Sequence, residues 1–216
     1  MIKDITINDA SLSQLGWIRE NIDFPTPQSQ LEILVVPGRN SPIRFTEALG
    51  SVSFQPRAFT ISLSMLGERE KFNELVRDTS NRFAGKLAQV ITSEEPDLYC
   101  IGTLEIAPSY DSIASKGELV ISCSDADSYR YHVSETTIEA NGSKTVVLLN
   151  DYMPVVPVVI TTEETTLTWK VGTDSFNKTV SAGTWEFPEM ELLHGNNSII
   201  INTVGTVTFR YREGCL

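Results

Sequence analysis

Few side chains in this 216-residue sequence have a type and spacing that could do chemistry. His132 and His194 are the only histidines, and neither has a cysteine or carboxylate at metal-ligand spacing. Each reads as a surface or capping residue rather than an acid–base catalyst. Ser112 and Ser115 have no base in reach to make either a nucleophile. Asp125 and Asp127, in Ser-Asp-Ala-Asp-Ser, echo a calcium loop but lack its glycine turn and terminal Glu. An Asx turn at a domain boundary is the better reading. Gly38, Gly50 and Gly67 stand alone, so no loop cradles a phosphate. No catalytic, cofactor-binding or metal-binding residue is assigned.

Trp169 and Trp185 invite a different chemistry, the stacking of sugars on aromatic faces. Both sit in alternating segments, Leu167-Thr-Trp-Lys-Val and Thr184-Trp-Glu-Phe. The same alternation puts Leu167, Trp169 and Val171 on one side, which is what a core face looks like. Sugar contact at Trp169 and Trp185 is therefore the disfavoured reading. His194 is followed by Gly195-Asn-Asn in a turn, and no cluster of His, Asn and Arg can be placed around either indole.

The composition narrows the function further. Apolar residues make up 41%, enough for real cores, and the length is comfortable for two domains. The net charge of −11 argues against a DNA-binding or anionic-membrane surface. The acidity is spread through the chain: residues 1–131 hold 12 basic and 18 acidic residues, and 132–216 hold 5 and 10. The opening residues show no apolar signal segment, and no run approaches a membrane helix in length. Cys100, Cys123 and Cys215 are expected to be free thiols in a reducing cytoplasm, although a bridge between Cys100 and Cys123 is conceivable.

The elements that position these residues are mostly β. Ile2, Ile5 and Ile7 open the chain, and Leu31 to Val36 is a dense apolar run closed by Pro37-Gly38. Ser51 to Leu66 alternates, with Phe59, Ile61, Leu63 and Met65 on one face. One helix is expected from Glu68 to Arg82, with Phe72, Leu75, Val76, Thr79 and Phe83 as its apolar stripe. A short strand from Ala88 to Thr92 follows. Beyond Ser124-Asp-Ala-Asp-Ser the pattern is short strands only: Lys144–Leu149, Val155–Thr162, Thr166–Val171, Lys178–Ser181, Thr184–Leu192, Ser198–Thr203 and Gly205–Tyr211. Turn residues separate them at the spacing of a β-sandwich.

The most informative stretch runs from Leu98 to Tyr131. Leu98–Ala107 and Gly117–Ser124 read as two strands of a hairpin, with Pro108–Lys116 between them. Neither face is cleanly apolar: Leu104 and Ile106 share one, and Ile101, Thr103 and Glu105 share the other. A finger of that kind suits docking on another subunit better than lying on one core. The acidic Glu94, Glu95 and Asp97 just before it read as a solvated loop or as inter-subunit ion-pair partners of Arg39, Arg44 or Arg57.

Taken together, VPGRNSP, FQPRAFTISLSMLG, the single helix, DLYCIGTLEIA…GELVISCSDADSYRY and GNNSIIINTVGTVTFRYREGCL resemble a family. It is the distal tail protein (Dit) of long, non-contractile-tailed phages and prophages of Gram-positive bacteria. The resemblance implies a mainly β protein. Residues 1–131 would be a ring-forming β-sandwich with one helix and a protruding belt hairpin, and 132–216 a galectin-like β-sandwich.

It also implies a hexameric ring joining the tail tube protein to the tail-associated tip protein, with a receptor-binding protein as a further partner. The ring would sit at the virion tail tip after assembly in the host cytoplasm. It would involve no enzymatic activity, membrane or sequence-specific nucleic acid. An acidic wall would let DNA slide through the lumen. On this view the oligomer contact falls on Leu104, Glu105, Ile106, Tyr110, Glu118, Leu119 and Val120. Between Thr145 and Leu216 there is no room for the long insertions of some relatives, which favours a simple adaptor. The alternative is a carbohydrate-binding adhesion module recognising the host cell wall.

Overall fold

The computed structural model describes residues 4–31, 33–44 and 52–216. Ile2, Gly50 and Ser51 lie outside them. The chain is mainly β and divides into two compact units, Met1–Ser128 and Tyr129–Leu216.

The first unit runs β1 (Ile5–Ile7), β2 (Ala10–Ser11), α1 (Leu12–Leu15), β3 (Ile18–Asp23), β4 (Ile33–Leu34), β5 (Ile43–Arg44), β6 (Arg57–Leu66), α2 (Arg69–Phe83), β7 (Leu87–Thr92), β8 (Glu95–Thr103), β9 (Glu105–Asp111) and β10 (Lys116–Ala126). Strands β2-β1-β7-β8 lie side by side, and β3-β6-β10-β9 form a second antiparallel sheet. The alternation of β6 turns Phe59, Ile61, Leu63 and Met65 inward, as expected, and β10 adds Leu119, Ile121 and Cys123. Ile5, Ile7, Val90 and Cys100 from the other sheet complete the same core.

Helix α2 follows the predicted stripe, with Phe72, Thr79 and Phe83 buried and Glu68 at its N-cap. Phe72 lies over Gly117 of β10, where a Cβ would stand 2.2 Å from the ring. Only a residue without a side chain fits beneath it. Helix α1 is absent from the sequence reading because four residues show no periodicity. It is set by Ser11, whose hydroxyl accepts from the Gln14 N–H, and by Gly16 at φ +107°.

The hairpin differs from expectation. Leu98–Ala107 is not one strand: the chain leaves β8 at Thr103, buries Leu104 and begins β9 at Glu105. β8 pairs with β7, and β9 pairs with β10, in different sheets. The apolar residues that looked two-sided belong to two strands with separate inward faces.

The second unit contains β11 (Arg130–His132), β12 (Thr136–Asn141), β13 (Lys144–Asn150), β14 (Val158–Thr161), β15 (Thr165–Val171), β16 (Asp174–Val180), β17 (Gly183–Glu186), β18 (Gly195–Thr203), β19 (Thr206–Tyr211) and β20 (Gly214–Cys215). Sheets β12-β19-β14-β17 and β13-β18-β15-β16 are antiparallel and enclose one core around Leu148, Val159, Leu167, Ile199, Ile201 and Phe209. β14 starts three residues later than predicted, after Pro157, which has no N–H for a ladder. β17 stops before the Phe187-Pro188 turn, closed by the Met190 N–H to the Phe187 carbonyl at 2.8 Å. β12 was missed because its Thr-Thr-Ile-Glu-Ala is too polar to stand out.

Candidate functional site

The residues predicted to meet a neighbouring subunit fall into two groups. Leu104 and Leu119 are fully buried in their own unit, each 0% exposed, so neither is available to a partner. Ile106 and Tyr110 are half-buried against the same core. The Tyr110 hydroxyl donates to the Gly67 carbonyl at 2.8 Å, and its ring lies against Phe72 with the Arg69 guanidinium over it. These contacts fasten β9 to the start of α2. The expectation of a free apolar finger here is thus corrected: the inward row of β10, Leu119, Ile121 and Cys123, is buried in one core with Phe72 of α2 and with Val90 and Cys100 of the other sheet, so its apolar side has cover within one copy.

Glu105, Glu118 and, in part, Val120 face outward. Lys116 bridges Glu118 and Glu20 at 2.8 Å each, which raises the Lys116 pKa and lowers that of Glu20. Ile113, in the β9–β10 turn, is 97% exposed.

The uncovered apolar surface of the first unit lies elsewhere, on the excursion between β3 and β6. Its base is joined by a Ser29–Phe54 bridge, with backbone bonds from Gln30 to Ser53 and from Gln55 to Gln28, both 2.8 Å. Further out, β4 pairs with β5. Leu31, Ile33, Leu34 and Val35 are all at least half exposed and belong to neither core. In the sequence this stretch stands out as a dense apolar run from Leu31 to Val36. The sequence reading missed the exposure because nothing in a short apolar run says whether a second layer covers it.

On the same unit an apolar recess of 390 Å³ is lined by Leu15, Ile18, Met65, Leu66 and Leu75, with Lys71, Glu74 and Asp78 at its rim.

The other singled-out residues have settled roles. Within one chain, Glu94 is held by both guanidinium nitrogens of Arg19. Arg57 is buried and donates to the carbonyls of Pro25 and Ser128. The side chain of Arg44 lies outside the description. Asp125 accepts the Thr103 N–H at 2.8 Å, which lowers its pKa. Cys100 and Cys123 are buried free thiols, and burial pushes Cys123 up to about 11.

Trp169 is 3% exposed, donates to the Glu189 carbonyl and packs on Phe176 and Phe187. Trp185 donates to the Ser181 carbonyl and stacks on Phe187. The two indoles serve the core side of the second unit.

Both histidines meet at one residue: His132 Nε2 lies 3.3 Å from the Asp151 carboxylate, and His194 Nδ1 bonds the Asp151 carbonyl. Among the described residues no group of His, Cys, Asp and Glu is arranged to hold a metal ion. His194 and Asn196, which the sequence left unplaced, border a groove on the outer side of β18 and β15 together with Thr168 and Lys170.

A first unit built mainly of two β-sheets with the long helix α2, followed by an all-β sandwich, defines a class of fold. No protein-family model matches the sequence, and no curated protein matches it. The fold is similar to that in the crystal structure of SPP1 Dit (gp 19.1). That protein is described as a paradigm of the hub adsorption apparatus in phages that infect Gram-positive bacteria. The TM-score is 0.74 with 10% sequence identity, and the match covers 100% of each chain.

Proposed function

We propose that this protein is a structural component of a phage tail tip, a hexameric ring that joins the tail tube to the tip and adhesion apparatus. The observation that carries this reading is the full-length likeness to a Dit protein at a TM-score of 0.74. The uncovered arm supports it. Four large apolar side chains held out on and beside a two-stranded ladder are costly in water unless a partner covers them; Ile33 and Leu34 on β4, with Leu31 and Val35 flanking it, are such a set.

The occupant we assign to the recess beside Leu66 is this arm from a second copy. Arm and recess are different surfaces of the same chain, so the contact is head-to-tail, the kind that builds a ring when its rotation closes. The first unit is the ring-forming part and the second the lateral one. The ring receives the tail tube protein on one face and the tip protein on the other, and the acidic chain leaves a lumen that repels DNA phosphate. The protein works by assembly and not by turnover. Its place is the virion tail tip, reached after assembly in the host cytoplasm.

Light scattering and negative-stain microscopy of the pure chain, alone and mixed with the tail tube and tip proteins, test the reading. Ring-shaped particles of six copies are expected. A chain that stays monomeric in every mixture would overturn it.

A further inference from the structure

We infer that the outer face of the β13-β18-β15-β16 sheet carries a binding site for a saccharide bearing a negative charge. Trp169 borders this groove but is only 3% exposed, its indole N–H bonded to the Glu189 carbonyl, and Trp185 does not line it. The inference stands independently of the tail-tip reading.

The ladder registers build the site. Thr145 pairs with Ile200 and Ile200 with Thr168, so these three lie in one row across three strands, roughly 5 Å apart. One step along, Ser198 stands beside Val147, and Asn196 stands beside Leu149. With Lys170 on β15 and His194 just before β18, they border a groove of 520 Å³. That volume lies within the range of about 300–1,000 Å³ usual for small-molecule sites.

The polar groups here are not used by the fold. The side chains of Thr145, Lys170, Asn196 and Ser198 have no hydrogen-bond or ion-pair partner among the described residues. Neighbouring Asn197 provides the contrast: its amide is consumed by Leu193 and Gly195, which shapes the loop rather than the groove. His194 is held in place by its Nδ1 bond to the Asp151 carbonyl and by the Tyr152 ring at 5.4 Å. With Nδ1 as donor, Nε2 is left as an acceptor.

The ligand class follows from this set. β15 and β18 are interior strands paired with each other from Thr165–Thr203 to Trp169–Ile199, so the sheet offers no outer edge here of the kind a peptide strand extends. What remains is hydroxyl, amide, imidazole and ammonium groups, which match the hydroxyls of a sugar ring. Ile200, 54% exposed, and Leu193, 38% exposed, offer apolar surface to its C–H faces.

Charge sets the rest. Lys170 lines the groove and, among the described residues, no carboxylate does, in a chain whose net charge is −11. An anionic substituent on the sugar gains a charge-assisted bond to this ammonium, and a neutral sugar does not.

The test is retention of the full chain on an array of neutral, uronate-, sialate- and phosphate-bearing glycans, with inorganic phosphate as competitor. Acidic glycans should be retained and their neutral counterparts lost. Lys170→Gln and Asn196→Ala should weaken retention about tenfold or more, with thermal unfolding unchanged. Lys144→Gln, which removes the same charge from the exposed end of β13 outside the groove, should not. Inorganic phosphate at equal concentration should fail to compete. The inference is overturned if no acidic glycan is retained or if neutral glycans bind equally. Retention that survives Lys170→Gln, or phosphate alone displacing the glycan, would also overturn it.

Discussion

The indole N–H of Trp17 donates a 2.9 Å hydrogen bond to the hydroxyl of Thr79, which donates in turn to the Leu75 carbonyl at 2.8 Å. Both side chains are buried, so the entry to β3 is fastened to α2 by a polar pair inside an apolar core. Thr79→Val keeps the shape and leaves the indole donor unpaired. A loss of about 1–3 kcal/mol is expected in urea unfolding followed by tryptophan fluorescence, and Thr79→Ser should retain most of the stability.

Leu119 and Ile113 belong to the same hairpin and should respond in opposite ways. Leu119→Asp puts a carboxylate into the core of the first unit and should cost more than about 4 kcal/mol, giving insoluble or unfolded protein. Ile113→Asp, at a side chain 97% exposed, should leave the melting temperature within a degree or so of the parent. A soluble, normally melting Leu119→Asp protein would contradict the burial of Leu119 in the core of the first unit.

The arm and the recess can be separated by mixing variants. Leu34→Asp removes the arm contact and Leu66→Asp the recess contact, and both side chains are exposed enough for the fold to survive. Neither variant alone should form particles. Mixed in equal amounts, they retain one intact pairing, because the Leu66→Asp copy still has its arm and the Leu34→Asp copy its recess. Light scattering should then report dimers and no rings. Full rings from either single variant would remove the arm from the interface.

Acid should loosen the first unit through Asp4. Its carboxylate accepts the N–H groups of Ile5 and Ser13 and the hydroxyls of Ser11 and Ser13. Burial pushes its pKa up, but these bonds outweigh it and the pKa lies below the usual carboxylate value. The folded state therefore holds the ionised form more firmly than the unfolded chain does. The resulting stability is present above about pH 4 and is lost as pH falls through the folded-state value. Asp4→Asn should flatten that decline in acid titrations of urea midpoints.

The thiols should sort by burial. Cys123 is pushed up to about 11 mainly by burial, so little thiolate is available at pH 8. In the folded chain, a disulfide reagent at pH 8 should label Cys215 first, and reach Cys100 and Cys123 only with denaturant. Because the folded state holds the Cys123 proton more tightly, the contribution of this thiol is intact below about pH 8.5. It should fade as pH rises toward 11.

The legible parts of the fold were those whose burial repeats locally. The inward row of β6 and the stripe of α2 appear where alternation and helical spacing place them. Prolines and turn residues set the limits of the second unit's strands to within a few positions. The Leu98–Ala107 reading failed because one fully buried residue, Leu104, ends one strand and starts another in a different sheet. Period-2 counting carried straight through it. The same blindness moved the uncovered apolar surface from the arm around Ile33 and Leu34 to a hairpin that is covered.

The sequence by itself determined the mainly β character, the two-part organisation and the scarcity of reactive groups, because these depend on residue types and on spacings within one strand or helix. Only the tertiary structure decided which apolar run lacks cover and which polar side chains converge. It placed Leu119 under a layer and left Leu34 without one. It also brought Thr145, Lys170 and Asn196 from three strands to one groove. Cover and convergence are properties of neighbours distant in the chain, and no local pattern of residues records them.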